Sequence, residues 1–87
     1  MRHARDEDLD RVEALLGELR TLPGIIEKKR GVFYYKSRAF QHFHEDPKGM
    51  FADIREAGAG NDFDRIDVTD AAGQKALVEM ACARLTT

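Results

Sequence analysis

The sequence predicts an α+β fold, in which a four-stranded antiparallel sheet, mostly a meander, carries an N-terminal and a C-terminal helix on one face (α-β-β-β-β-α). Two observations indicate this. Residues 31–55 hold four of the five Phe and both Tyr, in three short aromatic or β-branched runs separated by turn signals. On both sides of this segment, apolar residues recur at three- and four-residue steps, as in amphipathic helices. With 87 residues, the chain is expected to form one small domain, 1–87.

The first helix is predicted to begin near the acidic residues 6–8, which favour a helix N-terminus, and to end before Pro23-Gly24. Residues 1–5 are expected to be a loose end. Ile25 and Ile26 are expected to pack under the edge of the sheet. The apolar side of this helix consists of Leu9, Val12, Leu15, Leu16, Leu19 and Leu22.

Three consecutive antiparallel strands are predicted at residues 32–36, 39–45 and 50–55, where aromatic and β-branched residues are frequent. Ser37-Arg38 is expected to form a two-residue turn between the first two strands. The first and second strands would then form a tight hairpin.

The second turn has the sequence Asp-Pro-Lys-Gly at residues 46–49. Pro presets φ at the second position of a turn, and Gly49 can adopt the positive φ of a bulged hairpin. With Gly49 as the bulge residue, Asp46 is expected to pair with Met50.

The rest of the chain predicts a loop, a fourth strand and a second helix. Residues 56–62 contain two Gly and an Asn and are expected to form the loop. The Gly-x-Gly in this loop lacks the context of a dinucleotide fingerprint, and no cofactor is expected. Residues 63–68 alternate apolar and charged side chains, as a short strand does. Thr69 or Asp70 can cap a helix over residues 71–85.

The two turns fix which side chains share a face, because neighbours across an antiparallel pair lie on the same side. The face expected beneath the helices carries Phe33, Tyr35, Phe40, His42, His44, Met50, Ala52 and Ile54. The opposite face is expected to carry Val32, Tyr34, Lys36, Gln41, Phe43, Phe51, Asp53 and Arg55.

The second of these faces is the predicted functional surface. Two helices can cover only one side of the sheet, and exposed aromatic side chains usually mark an interface. A second copy of the chain or a protein partner is favoured, although aromatic and basic side chains on a sheet also suit nucleic acid. We therefore expect a binding module rather than an enzyme. The predicted surface consists of Tyr34, Phe43 and Phe51 with Lys36, Arg38 and Arg55.

His42 and His44 support an alternative function, a metal-dependent or acid–base enzyme. Alternate residues of a strand lie about 7 Å apart on one face, a spacing that metal sites use. Such a site needs a carboxylate or a third nitrogen on the same face. The expected register puts Asp53 and Glu45 on the other face, so the two histidines are expected to be structural.

Composition and charge exclude several classes of protein. The net charge of -2 does not suit a general nucleic-acid binder, which usually has a basic domain. No apolar run approaches the roughly 18 residues that span a bilayer, and the N-terminus has no apolar signal-peptide core, so no membrane partner is expected. The single cysteine, Cys82, favours a reducing compartment. We therefore expect a cytoplasmic protein in which Cys82 is a buried structural thiol.

Residues 28–55, KKRGVFYYKSRAFQHFHEDPKGMFADIR, resemble a stretch found in small bacterial proteins. More distantly, the first helix, Leu22-Pro23-Gly24, Glu27 and the hairpin around residues 36–40 resemble the small α/β proteins of the YjbR/MmcQ type. That resemblance implies a connection with DNA binding through the fold alone. No functional residue carries over, because the His-x-His sequence has no counterpart in that group.

Overall fold

The computed structural model describes residues 2–56 and 62–85. It confirms the α+β architecture, in which the strands of an antiparallel sheet follow N-terminal helical segments in the sequence and precede a C-terminal helix. The predicted loop at residues 56–62 lies mostly outside the described residues. The elements are β1 (Arg2–His3), α1 (Asp6–Leu9), a 3-10 segment (Asp10–Val12), α2 (Glu13–Leu19), β2 (Ile25–Lys29), β3 (Val32–Tyr35), β4 (Arg38–Asp46), β5 (Gly49–Arg55), β6 (Phe63–Asp67) and α3 (Ala71–Leu85).

The sheet has six strands rather than the predicted four. Its main path is the meander β2-β3-β4-β5-β6, and β1 pairs separately with β4. Ile25 and Ile26 begin β2 instead of packing under the sheet edge. The lysines of β2 are compatible with an edge strand, where charged side chains discourage further pairing. Gly31, with φ of 79°, completes the turn that joins β2 to β3.

The N-terminus is not the predicted loose end. Arg2 pairs with Glu45 and His3 with His44, so β1 lies along the edge of β4. The guanidinium of Arg2 also lies 2.8 Å from the carboxylate of Asp8, at the start of the helical segment. Its Nε lies 3.2 Å from the carboxylate of Glu45, so two ion pairs help to hold a strand of only two residues in place.

The core lies between the helices and one face of the sheet. The apolar side predicted for the first helix packs on the sheet, since Leu9, Val12, Leu16 and Leu19 are buried in one cluster with Ile54 and Leu77, and Ile66 and Met80 pack against it. Leu16 has no exposed surface. The N-terminal apolar residues fall on one side of α1, the 3-10 segment and α2, and α2 ends earlier than expected, at Leu19.

The C-terminal helix begins where the sequence predicts. The carboxylate of Asp70 accepts a hydrogen bond from the backbone N–H of Gly73 at 3.0 Å, as an N-cap residue does. Cys82 is exposed, so its prediction as a buried thiol was wrong. Among the described helices, none is long and apolar enough to cross a membrane.

The turn between β4 and β5 differs from the prediction by one residue. Gly49 has the expected positive φ, 143°. However, Asp46 pairs with Gly49 and Glu45 with Met50, so Pro47-Lys48 is a two-residue loop. Because strand side chains alternate, this shift exchanges the two faces of β4 relative to β5.

Contacts with the segment after β6 hold β5 in this register. The backbone N–H of Met50 donates to the hydroxyl of Thr69 at 3.0 Å, and Met50 O accepts from the N–H of Val68 at 2.9 Å. A Cβ at Gly49 would collide with the Thr69 side chain. The turn sequence is compatible with either loop, and these tertiary contacts favour the shorter one.

The turn between β3 and β4 also differs from the prediction. Lys36 and Ser37 form it, with φ of 52° and 68°, and Tyr35 pairs with Arg38. The register then shifts within the hairpin, so that Phe33 pairs with Gln41. Sequence reasoning missed this turn because both of its residues adopt a conformation that usually favours Gly, Asn or Asp.

Candidate functional site

The predicted aromatic and basic surface does not form as one patch. Phe43, placed at its centre by the sequence analysis, is 3% exposed and belongs to the core. The register shift is the reason, because it turns Phe43 toward the helices together with Ala52. Phe51 and Arg55 keep the predicted face, opposite the helices.

Three other residues of the predicted surface, Tyr34, Lys36 and Arg38, lie in the β3–β4 hairpin, whereas Phe51 and Arg55 lie in β5. Tyr34 is partly covered by Lys28, whose ammonium nitrogen lies 4.6 Å from the ring centre. Lys36 and Arg38 are exposed at the turn. The guanidinium of Arg55 donates to the backbone oxygen of Ala39 at 2.6 Å, which makes part of this side chain structural.

The same register shift places His42 and His44 on the face that the described helices leave uncovered. We call this side of the sheet the open face. It carries the side chains of His3, His42, His44, Phe51, Asp53, Arg55, Phe63 and Arg65.

Asp53 lies on the same face as the two histidines, contrary to the prediction. It pairs with His42 directly. One of its carboxylate oxygens, Oδ2, lies 3.1 Å from Nε2 of His44 and 4.0 Å from Nδ1 of His42. The condition that the sequence analysis set for a metal or acid–base site, a carboxylate beside the histidines, is therefore met.

A third imidazole completes the cluster. The ring of His3 lies 4.6 Å from that of His44 and 5.8 Å from that of His42, measured between centroids. One ring nitrogen from each of the three histidines falls within 4.8 Å of the others. Sequence reasoning missed His3 because a strand of two residues is too short to show a periodic pattern. The sequence signal for this strand is limited to Arg2, next to His3, whose charge can pair with Glu45.

Arg65 holds the carboxylate of Asp53 in place. Its Nε and Nη2 donate to the two carboxylate oxygens at 2.8 and 3.0 Å, in the bidentate geometry that fixes a carboxylate plane. Burial acts to raise the pKa of Asp53, but the hydrogen bonds and charge of Arg65 outweigh burial and lower that pKa. Asp53 is therefore ionised at neutral pH and can accept a hydrogen bond from an imidazole.

Burial lowers the pKa of both His42 and His44, although the charge of Asp53 partly opposes this effect. Both rings are therefore neutral at pH 7, which leaves each with a nitrogen lone pair. Nδ1 of His42 is buried and has no hydrogen-bond partner among the described residues. A buried nitrogen without a partner costs free energy unless a ligand, water or ion satisfies it.

The cluster is wider than a formed zinc site. Zn–N bonds of about 2.0–2.1 Å place tetrahedral ligand atoms about 3.3 Å apart. The ring nitrogens here lie up to 4.8 Å apart, so the three rings must move closer together to bind an ion. Side-chain rotation can supply this movement, since His3 is exposed and His42 and His44 are partly exposed.

Comparisons of this chain with protein-family models, curated proteins and solved structures gave no match. The resemblance to the YjbR/MmcQ type therefore stays a prediction.

Proposed function

We propose that this protein is a small metal-binding module, which holds a divalent transition-metal ion of the zinc class through His3, His42 and His44. The observation that carries the proposal is the convergence of three imidazole nitrogens within 4.8 Å on the open face. Imidazole is a preferred ligand of zinc, nickel and copper, whereas magnesium and calcium prefer oxygen ligands.

Asp53 acts in this proposal as the partner that orients His44. Metal-binding histidines commonly donate their second N–H to a carboxylate, which fixes the ring and selects its tautomer. The distance of 3.1 Å between Nε2 of His44 and Asp53 fits this role and leaves Nδ1 of that ring as the lone pair. Arg65 already occupies both oxygens of Asp53, which favours orientation of the histidine over direct coordination.

A purely structural cluster is the competing interpretation. Structural polar groups on a small sheet normally satisfy one another, but here one buried imidazole nitrogen has no partner among the described residues. Three imidazole rings also lie within 5.8 Å of one another between centroids on this face. An ion that accepts all three lone pairs accounts for both features.

Zinc titration of the native protein tests the proposal. Calorimetry should give one ion per chain, and the histidine ring resonances should shift. The melting temperature should rise, because zinc at a thousandfold excess over its Kd stabilises a native-only site by about 4 kcal/mol. His3→Ala should abolish most of this effect without unfolding the protein, since His3 is exposed.

Cys82→Ser provides the matched control. The exposed thiol is another strong zinc ligand in this chain, and it lies in α3 rather than in the cluster. The control should bind zinc as the native protein does. Equal zinc affinity in native protein and His3→Ala, or no binding at millimolar zinc, would contradict the proposal.

Self-association through the open face is a second candidate, and it retains part of the predicted surface. Phe51 and Phe63 are only partly buried there. The neighbouring charges are mixed, since this face carries Arg55 and also Arg65, which is paired with Asp53. Mixed charge suits a second copy of the chain better than nucleic acid, whose affinity depends on uncompensated cations. Sedimentation at several concentrations tests this candidate, and a monomer throughout would remove it.

A further inference from the structure

A cleft of about 310 Å³ lies beside the histidine cluster. The cleft lies between two strands that pair with the same edge of β4. The pairing of β3 with β4 ends at Gln41, and the pairing of β1 with β4 begins at His44. Between them, the described backbone connection is the hydrogen bond from Ala4 N–H to Phe43 O, at 3.1 Å. The gap is wide enough for a small molecule, since ligand sites start at about 300 Å³.

The lining of the cleft combines three kinds of group. Its apolar wall consists of Ala4, Leu9, Val32 and Phe43, and the β2–β3 turn contributes Lys29, Arg30 and Gly31 to its rim. The third kind is the imidazoles of His3 and His42, which also belong to the proposed metal site. A molecule in this cleft therefore contacts two of the three histidines.

We propose that this cleft binds a small organic carboxylate, whose anionic end completes the coordination of the metal ion and whose apolar body lies against Ala4 and Val32. The inference rests on the proposed function. Three histidine ligands leave a fourth position of a tetrahedral ion open to water or to a ligand.

The rim charges favour an anion. Arg30 is held by the carboxylates of Asp10 and Glu13 at 2.8 and 2.7 Å, so its charge is largely balanced. Lys29 has no ion pair among the described residues, and its ammonium is therefore available to a ligand. The apolar wall disfavours a hydrated inorganic anion and favours one that carries a short hydrocarbon or aromatic body.

The walls of the cleft are also preorganised for binding. The hydrogen bonds of Arg30 fix the turn on one side, and the pairing of β1 with β4 fixes the other. A Cβ at Gly31 would approach the Leu9 side chain within 2.9 Å, so turn and helix are already in close contact there. Preorganised walls lower the entropy cost of binding a small ligand.

The experiment uses native protein loaded with Co²⁺, whose visible absorption reports a change of inner-sphere ligand. Benzoate is the probe, and benzamide is the uncharged control of the same shape. Benzoate should change the spectrum and saturate, whereas benzamide should not. In the absence of metal, benzoate should bind at least about tenfold more weakly, as loss of a direct metal–ligand bond requires.

Two variants locate the binding site. Val32→Phe enlarges a wall residue that is not one of the proposed metal ligands and narrows the cleft, so it should weaken benzoate by about tenfold or more and leave metal affinity unchanged. Lys29→Gln should weaken benzoate by about two- to fivefold, as expected for a single exposed ion pair. Thermal melting checks that both variants are folded.

The outcomes separate the two proposals. Metal binding without a benzoate response, or a response that Val32→Phe leaves intact, overturns the cleft inference and leaves the metal site standing. Absence of metal binding overturns both. A benzoate response that benzamide reproduces shows that the anionic carboxylate is not required, and this also overturns the inference.

Discussion

Glu27 and Asp53 are held by arginine in the same way, but on opposite sides of the sheet. Arg20 donates from Nε and Nη2 to the Glu27 carboxylate at 2.6 and 3.1 Å. Arg65 donates from the same two atoms to Asp53 at 2.8 and 3.0 Å. Glu27 pairs with Phe33 on the helix-covered side, whereas Asp53 lies on the open face.

The two carboxylates differ in their remaining partner. Oε2 of Glu27 accepts from the backbone N–H of Gly31 at 2.9 Å, which ties the β2–β3 turn to the helical segment. The other groups beside Asp53 are imidazoles: Nε2 of His44 lies 3.1 Å from its carboxylate, whereas Nδ1 of His42, at 4.0 Å, has no hydrogen-bond partner among the described residues. The same bidentate contact with arginine thus closes a turn at Glu27 and, at Asp53, holds a carboxylate beside the histidines of the proposed metal site.

The largest expected effect is a difference in unfolding free energy between substitutions on the two faces of the sheet. Phe43→Ala should cost about 3–5 kcal/mol of unfolding free energy, because it opens a cavity in the core. Phe51→Ala, on the partly exposed side of the next strand, should cost about 1 kcal/mol. Urea denaturation measures both values. Equal costs would show that the register of β4 and β5 differs from the one described.

The sequence predicts what depends on periodicity. The leucines of the first helix, the apolar side of α3 and the strand β6 follow from repeated spacing, β3 to β5 follow from their aromatic and β-branched residues, and the structure confirms them. The faces of β4 could not be predicted in this way. A positive φ at Gly49 fits both the bulged loop and the two-residue loop, and the choice between them depends on distant Val68 and Thr69.

The candidate site was predictable only in part. His42 and His44 are visible in the sequence as an alternating pair. Asp53 joins them through the register, and His3 through a two-residue strand that ion pairs of Arg2 hold in place. The positions of Asp53 and His3 both depend on tertiary contacts, so they cannot be predicted from local propensity or from residue spacing.

The second prediction separates the two carboxylates by their effect on metal. Asp53→Asn should weaken zinc binding by about 10- to 100-fold, because the amide cannot hold the His44 ring as a charged carboxylate does. Glu27→Gln is the matched variant and should bind zinc as the native protein does. Competition with a zinc-sensitive dye measures both. Unchanged affinity in Asp53→Asn would exclude an orienting role for Asp53.

The smallest expected effect is the loss of stability on replacing Glu27, the carboxylate that closes the β2–β3 turn. Glu27→Gln should cost about 1 kcal/mol of unfolding free energy at pH 7, the upper range for a well-formed exposed pair. The hydrogen bonds from Arg20 lower the pKa of Glu27 below its ordinary value of 4.5. The folded state therefore binds this proton less readily than the unfolded state, and the stabilisation is complete above pH 4.5.

As the pH falls through the folded-state pKa of Glu27, this stabilisation should disappear. The difference in stability between native protein and Glu27→Gln should therefore be constant from pH 7 to pH 5 and shrink toward zero at lower pH. Urea denaturation of both proteins at each pH gives this difference, and other carboxylates cancel because both chains share them. A difference that persists at pH 2 would mean that Glu27 acts through packing or through its bond to the Gly31 N–H, and not through its charge.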